Sequence, residues 1–93
     1  MNILTPEEIQ ESSGALKAVV LLDGTVRVCY NFYNHSSLVG EGDVAIGGCA
    51  FWILGGKIRM GDYGSMTLKV GWDARCNEAL CKHLNMELKE EEY

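Results

Sequence analysis

The chain contains one proline, Pro6, among its 93 residues, and it has no long apolar run. Its longest nearly apolar stretch is Val44 to Leu54, eleven residues that include Gly47 and Gly48. A membrane-spanning helix needs about 20. Positive charge is scarce as well: eight Lys and Arg stand against thirteen Asp and Glu, a net charge of −5. That sign disfavours a protein that coats nucleic acid. The first residues, Met1-Asn2-Ile3-Leu4-Thr5, carry neither the positive start nor the apolar segment of a secretory signal, so a soluble, cytoplasmic protein is expected.

The apolar share is 47%, which suits a folded domain and excludes a disordered acidic chain. One domain over 1–93 is expected, too small for a two-domain cofactor enzyme. The four cysteines, Cys29, Cys49, Cys76 and Cys81, accompany a good supply of core residues and no export signal. A disulfide scaffold would show the opposite balance, so all four read as free thiols.

Thr5, Pro6 and Glu8 spell a capping box with proline at the first helical position, predicting a short helix over Thr5 to Glu11. Ala15 to Leu22 reads as a strand buried on most of both faces, and Asp23-Gly24 as a hairpin turn. Thr25 to Tyr33 alternates, with Val26, Val28, Tyr30 and Phe32 on one side and Arg27, Cys29 and Tyr33 on the other. Asn34 to Asp43 is a loop on composition. Val44 to Leu54 favours a strand with a bulge at Gly47-Gly48, with a short buried helix as the alternative. Gly55-Gly56 marks a second hairpin turn, followed by a strand from Lys57 to Met60 and another from Ser65 to Trp72. Asp73 caps a final helix whose apolar stripe is Cys76, Ala79, Leu80, His83 and Leu84. Residues 88–93 read as a fraying acidic tail. The sum is an α+β fold: an antiparallel sheet of about five strands, a short N-terminal helix, and a C-terminal helix packed on one face.

The charges are segregated by element. Lys17, Arg27, Lys57, Arg59 and Lys69 fall in expected strands, each opposite its strand's apolar set, and no Asp or Glu falls inside one. Five basic groups emerging on one sheet face, with Tyr33 beside them, would suit an acidic protein partner or a nucleotide or single-stranded nucleic acid. Scattered along two sheet edges, the same residues would serve only to discourage aggregation. Phe51 is a further candidate, an interface anchor if Trp52 points inward.

Other motifs dissolve on inspection. Cys76 and Cys81 lie about 140° apart on a helix and cannot converge on one metal ion. Gly40-Glu41-Gly42 lacks the third glycine and the helix of a dinucleotide loop. His35-Ser36-Ser37 has no orienting group for a nucleophile and its base, so a turn role is expected. No catalytic residue, metal or cofactor is expected. The residues favour a non-enzymatic cytosolic binding protein that modulates or inhibits a macromolecular partner, of phage, mobile-element or immunity-protein type. A nucleotide or single-stranded nucleic-acid module is the alternative, and a small enzyme the third possibility. The open sheet edges offer a seam for a homodimer.

Overall fold

In the computed structural model, which describes residues 3–89, the first helix, α1 (Pro6–Glu11), begins on its capping box. Glu8 N–H donates to Thr5 Oγ1 at 3.3 Å and Thr5 N–H donates to the Glu8 carboxylate at 3.1 Å. With two orphan donors satisfied, six residues hold a helix whose single anchor, Ile9, is fully buried.

The sheet has four strands: β1 (Leu16–Leu21), β2 (Val26–Tyr30), β3 (Ala45–Leu54) and β4 (Lys57–Tyr63). Their order is β2-β1-β3-β4 and every pairing is antiparallel. The first hairpin turns on Asp23, whose carboxylate accepts the Thr25 N–H at 2.9 Å. The second turns on Gly55 and Gly56, both at positive φ, the backbone that two-residue hairpins require.

The expected fifth strand does not form. Gly64, at φ +115°, turns the chain out of β4, and Gly48 bonds both Gly64 and Gly71 through its backbone. Residues 64–71 therefore leave and rejoin the sheet at one place and loop over its surface. Within the loop Ser65 and Val70 pair only with each other, their N–H···O contacts being 2.8 and 3.2 Å.

One face of the sheet carries Leu16, Ala18, Val20, Val26, Val28, Cys49, Phe51 and Ile58 beneath α1 and α2 (Ala74–Leu84). Asp73 caps α2 by accepting the Cys76 N–H at 3.1 Å, and Asn85, at φ +52°, ends it in a left-handed turn. Gly47 is needed under this helix, because a β-carbon there would collide with Cys76 Sγ.

The helix alternative for Val44–Leu54 is overturned by a ten-residue strand. Its bulge lies one residue before the expected place, where the register passes from Val20↔Gly47 to Leu21↔Ala45, and a second falls at Gly61 of β4. The first bulge switches the parity that faces the helices to 47, 49, 51 and 53. Phe51 is consequently fully buried, and its candidacy as an exposed anchor is corrected; Trp52 is the outward residue.

The second face is not bare. Val19, Leu21, Cys29 and Leu38 form a smaller core there with Tyr33, Val39, Ala45 and Leu68. Its cover is residues 31–44, which include a 3-10 turn (His35–Leu38), together with the 64–71 loop. Both sheet edges are also partly occupied. Leu4 N–H donates to Val28 O of β2 at 2.9 Å. Glu87 O accepts from Ile58 N–H at 2.9 Å, and Lys89 N–H donates to Ile58 O at 2.8 Å. Residues 88 and 89, expected to fray, are thus docked on β4; 90–93 of the expected tail lie outside the described residues. No helix among the described residues is long and apolar enough to cross a membrane.

Candidate functional site

Strand register brings Lys17, Arg27, Lys57 and Arg59 to the second face, as alternation predicts. They do not act as one free patch. Lys17 Nζ donates to Tyr33 O at 2.8 Å. Arg27 donates to Leu38 O at 3.0 Å and pairs with Asp43 at 2.7 Å. These two cations fasten residues 31–44 to the sheet, satisfying carbonyls that have no strand partner. Tyr33 is half-buried in the smaller core, its ring 4.4 Å from that of the exposed Phe32. Lys57 and Arg59 are exposed on β4, and the Arg59 guanidinium lies over the Trp52 ring at 5.8 Å. Lys69 reaches this face from the 64–71 loop rather than from a strand. Because β4 runs on to Tyr63, Asp62 also enters the face, correcting the expectation that no carboxylate lies within a strand.

Between residues 31–35, β4 and the 64–71 loop lies an open cleft of about 630 Å³. Lys17, His35, Asp62, Tyr63, Ser65 and Lys69 line it. Gly48 makes room for its floor: a β-carbon there would lie 3.2 Å from the His35 ring and 3.0 Å from Ser65 Cβ. At the rim Met66 is 96% exposed, whereas the side chain of Tyr63, paired with Cys49, turns toward the helix side of the sheet.

His35 is the residue that sequence reasoning assigned to a mere turn. It is buried, and Nε2–H donates to Cys49 O at 2.7 Å, so the neutral ring keeps its lone pair on Nδ1. Burial pushes its pKa below the ordinary histidine value, against the opposing effect of the Cys49 bond. The signal that could have found it was Gly47-Gly48: paired glycines in a strand mark close approach on both faces. Cys76 meets one glycine and His35 the other.

Chemically the cleft offers two ammonium groups, one carboxylate and a neutral imidazole. The Ser65 hydroxyl accepts from Leu68 N–H at 3.3 Å, and the His35 Nε2 proton is committed to a carbonyl. Among the described residues no three His, Cys, Asp or Glu side chains gather in a metal-binding arrangement. The four cysteines are unpaired, and burial raises the pKa of each thiol. A second cleft of similar volume, between the start of β4 and the end of α2, sets Lys57 and Lys82 against Glu78 and Glu87 and so has no net sign. Searches of protein-family models, curated protein sequences and solved structures found no match to this chain.

Proposed function

We propose that this chain is a non-enzymatic binding protein that engages an acidic segment of a macromolecular partner across the cleft face and modulates the partner by occupying it. The observation that carries this reading is that Lys17 and Lys69 both line one cleft rimmed by exposed Met66, on a chain whose net charge is −5. A cationic site on an anionic molecule favours an acidic partner locally while the remaining surface repels wrong orientations. An exposed methionine side chain beside such charges supplies the kind of desolvated contact that dominates interface affinity.

A second reading rests on the Trp52–Arg59 pair, whose flat, cationic surface suits a stacked base of single-stranded nucleic acid. Asp62 in the adjoining cleft opposes a phosphate chain. Affinity capture from lysate, with and without nuclease, separates the two. A protein recovered by the wild type, lost with Lys69→Glu and indifferent to nuclease supports the first reading. Recovery that disappears on nuclease treatment, or is weakened by Arg59→Glu but not by Lys69→Glu, overturns it.

A further inference from the structure

The 64–71 loop has two properties that a connecting loop does not need. It is closed on itself by the reciprocal Ser65–Val70 backbone bonds and braced by the Ser65 hydroxyl on Leu68 N–H. It also holds a strained residue: Lys69 sits at φ +57°, left-handed backbone that lysine seldom adopts and glycine or asparagine would adopt with less strain. The same loop leaves Met66 almost wholly exposed while Leu68 packs into the smaller core. A chain that tolerates strain to present a cation, and solvent exposure to present an apolar side chain, has the backbone that carries both held in advance of any encounter. Pre-ordering of this kind lowers the entropy lost on binding.

We infer that residues 64–71 form a preformed recognition loop that selects, within the acidic partner proposed above, an extended segment in which an Asp or Glu stands next to a large apolar residue. The carboxylate lies between Lys69 and Lys17, and the apolar side chain rests on Met66. Charge complementarity argues for this occupant: the two ammonium groups outnumber the one carboxylate of the cleft, Asp62. Methionine is suited to the apolar half because its flexible thioether adapts to differently shaped side chains. The inference rests on the acidic-partner reading and adds the apolar neighbour.

The test uses short synthetic peptides labelled with a fluorophore, measured by anisotropy against the full chain. One set pairs Glu with Leu or Phe, one has Glu with Ser, and one has Gln with Leu. The expected result is preferential binding of the first set. Both Lys69→Glu and Met66→Ser, at exposed positions that do not support the core, should weaken it by about tenfold. Equal binding of the Glu–Ser set, with Met66→Ser without effect, overturns the recognition loop but leaves the acidic-partner reading in place. Binding by none of the three sets overturns both.

Discussion

Lys69 offers the sharpest test of whether the 64–71 loop holds strain for a purpose. A residue with a β-carbon in the left-handed region is disfavoured by about 1–2 kcal/mol. Glycine escapes that penalty but loses about 0.5–1 kcal/mol more backbone freedom on folding. The difference leaves Lys69→Gly more stable than the parent by about 0.5–1 kcal/mol. In a domain of this size that raises Tm by about 3–6 °C. Lys69→Ala is the control, since it removes the same ammonium group but keeps the β-carbon and gains nothing. Thermal unfolding by circular dichroism, with urea melts to confirm an unchanged m value, measures both. Binding of the acidic–apolar peptides should fall in both variants, so the glycine variant gains stability as it loses affinity. If Lys69→Gly proves no more stable than Lys69→Ala, the backbone is not strained there and the argument from strain fails.

Other expectations concern the core and the titrating groups. Gly47→Ala drives a methyl into Cys76 and should cost about 1–3 kcal/mol. Adding Cys76→Ala should recover part of that loss, and a double-mutant cycle by urea unfolding that shows no coupling would refute the contact. Gly71→Ala, which meets open space, should stay within about 0.5 kcal/mol of the parent. The pKa values of His35 and His83 are both lowered from 6.5 by burial. The unfolded chain therefore binds more protons as pH drops, so the stability held above about pH 6.5 is lost progressively below it. Urea midpoints across that range should show the fall, with a shallower slope in His35→Gln; a flat profile would contradict a neutral ring at the buried His35. Iodoacetamide should modify the half-exposed Cys81 first and the three buried thiols only on unfolding. Rapid native modification of Cys49, detected by mass spectrometry, would contradict its burial.

The elements that local chemistry alone determines were legible in the sequence. The Thr5-Glu8 box, the Asp73 cap and the two glycine turns place α1, α2 and both hairpins because each satisfies its own backbone within a few residues. The alternation that aligned Lys17, Arg27, Lys57 and Arg59 held for the same reason: period-two geometry needs no tertiary information. What escaped was settled at a distance. One extra residue at Ile46 inverts the parity of β3, and alternation alone cannot distinguish Phe51 from Trp52 across such a slip. Met66, Leu68 and Val70 alternate as a strand would, yet Gly64 and Gly71 return the chain to Gly48 before it can pair. The cleft was legible only in pieces. Lys17 and Lys69 were singled out, but their sharing of one cleft depends on that loop, and the place of His35 depends on Gly48 having no side chain.

Residues from the two ends of the described chain, Leu4 and Glu87–Lys89, act as hems on the outermost strands. During synthesis β4 emerges well before Glu87, so for that interval its outer margin has no backbone partner from this segment. A chain cut after Leu84 would keep every strand and both helices yet leave Ile58 with an unclaimed amide and carbonyl, an invitation to cross-β stacking between neighbouring molecules. By claiming that amide and carbonyl, Glu87 and Lys89 leave the margin at Ile58 nothing with which to coalesce.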